Sequence, residues 1–515
     1  MHRAARCVML FLMLAFQFGP ALVWANPTGG QVVAGDATIT EQGSVLTIQQ
    51  GSDKAVINWQ DFSIANGELT KFLQPSADAM ALNKVLGGDI SRIYGTLEAN
   101  GGIILLNPNG IMIGPGGMVN VHNFIGSTLD VNADEFMAGQ DLTFMGDSQA
   151  GISNMGRIDA SQDVMLFARK IENSGTINAG GEAALAAPGG AGSEILLAKA
   201  GDDRVKVKVG TMDGEKLDGD AIRNSGEIQA AMVTMKATGS VYATAVNNTG
   251  VVRAQGVDMS GGRVTTDAGR RGHRNSGVIT ARKSDGSGGR SRVGGGSNAN
   301  KDATVYNSGT LDAAGTAAGT IGGKVEVTGD RVALTDAAVV DVSGDAGGGE
   351  ALIGGSFQGK TDPEVQNASR TYVGADVEIK ADAITSGDGG TAVVWSDEGT
   401  QFYGTASARG GAQSGDGGLV EVSGRDYLDF QGTVVTLAPN GAAGRLLLDP
   451  TNGEINDDAA DANVSGATPF SPTAAGTVLT WSTILTNLGL GNVEFTTAAG
   501  FDNLQAGDTH HHRKP

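Results

Sequence analysis

The chain has 515 residues, 81 of them glycine, with only 5% aromatic and 18% charged. That composition excludes a string of compact domains built on large buried side chains. Acidic residues outnumber basic ones, 56 to 36, and the formal net charge of −20 argues against nucleic acid or an anionic membrane as the main partner. The apolar 40% recurs in short alternating runs, which points to ordered β structure and away from glycine-rich disorder.

Residues 1–25 have the pattern of a secretory signal peptide. His2, Arg3 and Arg6 form a basic start, 7–18 is an apolar core, and Val23 and Ala25 are small residues suited to cleavage after Ala25. The apolar run is too short to span a membrane comfortably. Cleavage removes Cys7, the single cysteine, so the mature chain has no disulfide to form. From Asn26 onward, strands are expected at 31–33, 37–40, 45–48, 55–59 and 69–73, punctuated by glycine.

Residues 101–121, GGIILLNPNGIMIGPGGMVNV, read as three strands and two tight turns. The run 103–106 is too short for a helix and is followed at once by Asn107-Pro108-Asn109-Gly110. In that turn Asn107 suits position i, Pro108 pre-sets φ at i+1 and Gly110 suits i+3. Ile111-Met112-Ile113 is the second strand, and Gly114-Pro115-Gly116-Gly117 places glycine where a type II turn needs positive φ. Residues 118–121 are the third. Connections this short suit a chain that winds around an axis.

The segment Asn107-Pro108-Asn109-Gly110-Ile111 resembles the signature of the two-partner secretion domain, which opens the filamentous-haemagglutinin-like exoproteins of Gram-negative bacteria. Phe72-Leu73-Gln74-Pro75, Leu82-Asn83-Lys84-Val85 and Ser91-Arg92-Ile93-Tyr94-Gly95 precede it in the order that family shows. The earlier Asn-Pro-Asn-Leu motif of many members is missing here. The resemblance implies an all-β fold, a right-handed parallel β-helix with an N-terminal cap. It also implies a partner, an outer-membrane barrel transporter with periplasmic recognition domains, and makes Asn107, Pro108, Asn109, Gly110 and Ile111 the secretion motif. A cap is physically required, because the first rung otherwise presents an unpaired, aggregation-prone edge.

A repeat, Asn-x-Gly-x-(Ile/Leu/Val)-x-Ala, begins at Asn154 and recurs at Asn173, Asn224, Asn248, Asn275 and Asn307. Such spacings mark stacked units. Alternation puts Ile158, Ile177, Ile228, Val252, Ile279 and Leu311 inward, and the six aligned asparagines are expected to form a side-chain ladder. The long interval between Asn173 and Asn224 is expected to hold one degenerate rung, and 199–220 to loop off a corner. The arginine-rich stretch 270–292 has two readings, a patch for an anionic polysaccharide or a solvated excursion, of which composition favours the excursion. Beyond residue 320 the segments 340–355, 383–395 and 407–424 share a Gly/Asp turn feeding an apolar strand, read as more β-helix with a different cross-section. Residues 445–452 (RLLLDPTN) resemble another recurring segment of large exoproteins of the family. The three histidines at 510–512 belong to a tail that breaks the pattern.

The expected divisions are a signal peptide (1–25), the capped secretion region (26–150), a β-helix of Asn-x-Gly rungs (151–320), its Gly/Asp-rich continuation (321–456) and an irregular, truncated-looking end (457–515).

Little points to chemistry. Outside the first and last segments the only histidines are His122 and His273, and no nucleophile elbow, P-loop or zinc-protease motif occurs. No catalytic residue, cofactor or metal site is therefore assigned. The function expected is that of a secreted or surface-associated exoprotein, exported through the periplasm, of adhesin or haemagglutinin type, with a host-cell or bacterial-cell receptor or polysaccharide as target. Two alternatives stand beside it. A β-helix polysaccharide-active enzyme would need carboxylates from neighbouring rungs in one groove, for which Asp341, Asp345, Asp388 and Asp416 qualify only by abundance. A contact-dependent toxin-delivery protein would need a toxic C-terminal domain. A C-terminal membrane barrel is not expected, because 440–515 is too short and polar to form one.

Overall fold

The computed structural model describes residues 26–189, 192–199, 203–208, 217–238, 242–256, 261–269, 272–295, 303–363, 365–451, 453–456, 477–496 and 510–512. Residues 1–25, expected as a signal peptide, lie outside them.

The chain winds as a right-handed parallel β-helix, the hand that parallel crossovers adopt. Each turn lays one strand on each of three long sheets, of 17, 12 and 15 strands among the described residues. One rung shows the pattern. Gly102–Leu106 lies on the first sheet, Ile111–Ile113 on the second and Met118–Val121 on the third; Asn123–Ser127 then returns to the first, pairing Phe124 with Ile103 in parallel register. The inward positions fill one continuous core, and Ile158, Ile177, Ile228, Val252, Ile279 and Leu311 are all fully buried in it.

The N-terminal end is closed by antiparallel pairs. Gln31–Ala34 runs against Lys54–Trp59, and Ala37–Gln42 forms a hairpin with Val45–Gln50. The turn-to-turn ladder therefore starts from a paired edge.

The first sheet carries a second core on its outer side. The helix Ala133–Ala138 and a three-stranded antiparallel sheet of Leu142–Met145, Glu194–Leu197 and Val205–Lys208 pack over Val56, Leu82, Ile104, Ile125 and Met165. This explains why 103–106 reads as an unbroken apolar run: the strand is buried on both faces.

Two expectations are corrected here. Asn173 and Asn224 sit on adjacent rungs, paired in register, so no degenerate rung lies between them. The intervening residues supply the external hairpin instead. The arginine-rich stretch is not an excursion either. Gly272–Asn275, Val278–Arg282 and Arg290–Gly294 are ordinary strands of the second, third and first sheets, and alternation turns every other side chain inward.

The Gly/Asp segments do continue the helix: Glu350–Ile353, Thr391–Ser396 and Leu419–Gly424 stack in register on the first sheet. Within 457–515, residues 457–476 and most of the tail lie outside the described residues. The described part is regular, with the helix Trp481–Leu488 packed on the last rung and Asn492–Phe495 extending the first sheet. Asn487 of that helix accepts the Val434 N–H at 2.7 Å and donates to the Gly432 carbonyl at 3.3 Å, satisfying the final strand of the third sheet. His510–His512 form a strand antiparallel to Asn492–Phe495.

Candidate secretion corner and asparagine ladder

Asn107 turns the chain from the first sheet to the second, and its side chain is fully buried. Its amide donates to the Asp89 carbonyl and to the Ser91 hydroxyl, both at 2.9 Å. Its side-chain oxygen accepts the Asn109 backbone N–H at 2.9 Å and the Asn109 amide at 3.2 Å. The turn closes with Gly110 N–H on the Asn107 carbonyl at 3.0 Å, and Gly110 has φ of 117°, where a side chain is strained. Ile111 then enters the core, paired with Ser91 on the rung before and Ile152 on the rung after. Thus Asn107 makes the corner by satisfying buried polar groups that the bend would otherwise strand.

Pro108 and Asn109 are exposed at the tip. Asn109 still donates to the Gly87 carbonyl at 2.8 Å, and the Ser148 hydroxyl donates to the Pro108 carbonyl at 2.6 Å. The corner is therefore rigid at its base and presents two side chains outward.

The other family-like segments meet this corner from the rungs before it. Ser91 is Asn107's partner, and Ile93 lies in the core. Asn83, wholly buried, accepts the Trp59 indole N–H at 2.9 Å. Gln74 is a second buried-amide corner: it donates to Gln50 at 3.1 Å and accepts the Gly101 N–H at 2.9 Å, while Asn100 accepts the Gln74 backbone N–H. The roles of Gln74, Asn83 and Asn100 were not read from the sequence. The signal available was a lone amide residue in or beside an apolar run, where only a hydrogen-bonded side chain survives burial.

The six repeat asparagines form one column on the second sheet, each at most 1% exposed. Every side-chain amide donates to the oxygen of the next asparagine: Asn154 to Asn173, Asn173 to Asn224 and Asn224 to Asn248 at 2.8 Å, Asn248 to Asn275 at 2.7 Å, and Asn275 to Asn307 at 2.6 Å. Asn307 ends the chain of bonds on the Gly309 carbonyl. Isoleucines 93 and 113 occupy this column before Asn154, and Leu334, Val373 and Phe402 after Asn307. The glycine two residues after each asparagine is fixed by close stacking. A Cβ on Gly175, Gly226, Gly250, Gly277 or Gly309 would lie 2.0–2.2 Å from the carbonyl oxygen of the glycine one rung earlier.

The carboxylates weighed for catalysis serve turns. Asp345 accepts the Gly319 N–H at 2.6 Å and the Thr385 hydroxyl at 2.5 Å, bonds that hold its carboxyl below the usual range. Asp388 accepts the Asp416 N–H, Asp416 the Ala442 N–H, and Asp341 the Ser343 N–H. Among the described residues no group of three or more histidine, cysteine or carboxylate side chains is placed to hold a metal ion.

Comparison with known proteins follows the same lines. The family model described as the TPS secretion domain matches residues 24–281, half of the chain. A Haemophilus influenzae protein named heme/hemopexin-binding protein is 30% identical over 223 residues, 41% of this chain and 24% of that protein. A second protein of the same name is 42% identical over 106 residues, 20% of this chain and 11% of its own length. The chain thus spans a quarter or less of the curated relatives it matches. Among solved structures, the secretion domain of the H. influenzae protein HMW1 superposes with a TM-score of 0.55 at 27% identity, covering 81% of this chain and 99% of that domain. The capped β-helix, the Asn107 corner and the match over residues 24–281 lead to one conclusion: the chain belongs to the two-partner secretion family, secreted exoproteins whose N-terminal domain is recognised by an outer-membrane transporter.

Proposed function

We propose that the protein is exported through the periplasm and works at or beyond the cell surface as an adhesin of haemagglutinin type, without catalytic activity. In this reading residues 1–25 are removed at the inner membrane, 26–150 engage the transporter's periplasmic domains, and 151–320 with 321–456 form a shaft that carries the binding surface outward. The supporting observation is the Asn107 corner, a buried hub with an exposed Pro108-Asn109 tip. The transporter reads the tip, while the hub sets the register in which rungs stack. Each rung folding outside the cell buries apolar surface on the last and biases translocation outward.

The test is secretion with and without the partner barrel. Export that depends on the barrel, with a mature chain beginning at Asn26, supports the reading. Unchanged export from cells lacking every such transporter overturns it.

A second reading comes from the relatives named for binding heme and hemopexin. The exported chain would then capture a haem-carrying host protein rather than a cell. Surface-immobilised exoprotein retaining hemopexin in preference to whole cells would favour it.

A further inference from the structure

The outer side of the first sheet is covered twice. The external sheet covers its early rungs, and a later fold of chain carrying Phe357 and Val365 packs on Leu352, Val393 and Trp395. Between the two covers lies a cleft of about 440 Å³. Although the chain is strongly acidic, this cleft collects Lys236, Arg263, Arg290 and Arg292 from three successive rungs.

The cations differ in how they are occupied. Lys236 is paired with Asp203, and Arg290 is held by both carboxylate oxygens of buried Glu326 at 2.9–3.0 Å. Arg292, half-buried, has no side-chain partner among the described residues. Two residues further along the same strand, Gly294 lies in register with Thr328 and leaves a recess above it. A Cβ on Gly294 would come within 3.1 Å of the Thr328 hydroxyl. That hydroxyl lines the cleft, belongs to a residue 1% exposed, and has no hydrogen-bond partner among the described residues. The acids at the rim are Glu182, Asp203 and Asp267; Glu182 accepts the Thr234 hydroxyl at 2.8 Å.

A guanidinium without a carboxylate, beside a buried hydroxyl without an acceptor, is a donor set lacking its anion. Guanidinium suits planar or tetrahedral oxyanions, and a walled cleft concentrates its field. The surrounding Thr234 and Thr265 add hydroxyl-bearing walls, and the volume falls in the range of small-ligand sites.

We propose that this cleft binds the sulfate or carboxylate group of an acidic saccharide, through Arg292 and Thr328. The site deepens the surface-binding reading above and rests on it, while leaving export untouched.

The test uses the full exported chain in isothermal titration with a heparin-derived hexasaccharide, trigalacturonate and inorganic sulfate. Binding of the hexasaccharide without binding of trigalacturonate assigns sulfate as the recognised group, and binding of trigalacturonate assigns carboxylate. Affinity should weaken as salt rises. Arg292→Glu should weaken it at least tenfold, Arg292→Gln and Thr328→Val several-fold, with unchanged circular dichroism. Lys380→Glu, on the third sheet, should bind as the parent does. The proposal is overturned if neither saccharide binds at millimolar concentration, or if sulfate alone binds, marking an adventitious ion only. It also fails if folded Arg292→Gln and Arg292→Glu bind like the parent, or if Lys380→Glu loses as much. Secretion of all these variants should be normal, so loss of saccharide binding and loss of export are separate results.

Discussion

Asn173 donates its side-chain amide to Asn224 across 2.8 Å, although the two stand 51 positions apart in the chain. After the first asparagine the chain lays Thr176–Ala179 on the third sheet and Glu182–Pro188 on the first, then leaves the helix, builds a hairpin over the outer face of the first sheet, and re-enters in register on the second. The ladder bond thus spans the insertion, beside strands that resume in register on all three sheets. A slip by one residue would turn every inward side chain of the strand outward.

Breaking the ladder in the middle should cost more than one hydrogen bond. Asn224→Ala leaves the Asn173 amide without its acceptor and the Asn248 oxygen without its donor, both buried. With each stranded group costing about 1–3 kcal/mol, a loss of about 2–4 kcal/mol is expected. Asn307→Ala strands only the Asn275 amide and should cost about half as much. Urea unfolding of the two variants checks the ratio; equal losses would mean that the ladder is not a chain of coupled bonds.

The glycine beside each ladder position should be as sensitive for a different reason. In Gly250→Ala the new Cβ would meet the Gly226 carbonyl oxygen at 2.2 Å. Two backbones must move apart, so the penalty should exceed the ~1 kcal/mol that separates glycine from alanine in ordinary strands, by about 2 kcal/mol or more. Gly319→Ala, where a Cβ has open space, is the control for positive φ alone. Melting temperatures of the two variants decide whether close stacking or conformational freedom dominates.

Much of this architecture was legible in the chain because its signals are local and repeated. Asn-x-Gly-x-Ile combines a buried amide, a glycine required by rung spacing and an inward apolar residue, so six copies announce six equivalent corners. The Asn107 corner was legible for the same reason, since turn chemistry sits in four consecutive residues. What stayed hidden is non-local. Nothing in 142–145, 194–197 and 205–208 says that these three strands meet as a sheet. The arginines of 270–292 misled because composition does not show which side chains alternate inward: Arg274 points out, whereas its neighbour His273 is buried.

His273 offers a prediction in pH. It lies between Val246 and Val305 in the inward column of the second sheet, fully buried, with neither ring nitrogen hydrogen-bonded among the described residues. Burial lowers its pKa to about 3. Above the unfolded value near 6.5 both states are neutral, and the ring imposes no proton-linked penalty. As pH falls from there toward 3 the unfolded chain takes up a proton that the folded chain refuses, and stability drops by about 1.4 kcal/mol per unit. His273→Val should remove that acid-side loss, on the order of 4–5 kcal/mol in full, and be neutral or stabilising at pH 7.5. Denaturation midpoints from pH 4 to 7.5 should converge with the parent at the upper end and separate at the lower.

Glu421 predicts the opposite slope. Burial raises its carboxyl to about 7, outweighing the lowering effect of the Gln358 N–H, which one oxygen accepts at 2.9 Å, and of the Ser423 hydroxyl. The unfolded carboxyl titrates near 4.5, so its contribution is complete below that value and is lost as pH rises through 7. Glu421→Gln, which stays neutral, should gain stability over the parent by up to about 3 kcal/mol above pH 7 and nothing at pH 4. Urea midpoints at those two pH values check the sign; an equal gain at both would trace the effect to packing.

The Asn107 corner separates recognition from folding through two adjacent residues. Gly110→Val forces a β-branched side chain into a backbone with φ of 117°, and its Cβ would approach the Gly151 carbonyl at 3.2 Å. That variant should fold poorly, with a loss of about 2 kcal/mol or more, and its export should fall as a consequence. Asn109→Ile changes an exposed tip instead. It forfeits two tip bonds, to the Gly87 carbonyl and to the Asn107 side-chain oxygen, an expected cost of about 1–2 kcal/mol, and keeps the Asn107 bonds to the Asp89 carbonyl, the Ser91 hydroxyl and the Asn109 backbone N–H. If the transporter reads the tip, Asn109→Ile refolds in vitro with parental circular dichroism and nearly parental stability, yet stays in the cell. If the corner acts only by setting register, Asn109→Ile is secreted in proportion to its stability, and Asn107→Ala, which strands the Ser91 hydroxyl and the Asp89 carbonyl, is the severe variant in both assays. Refolding yield plotted against secreted fraction for the three variants decides between them. A single line through all three excludes recognition at the tip, and Asn109→Ile falling far below that line establishes it.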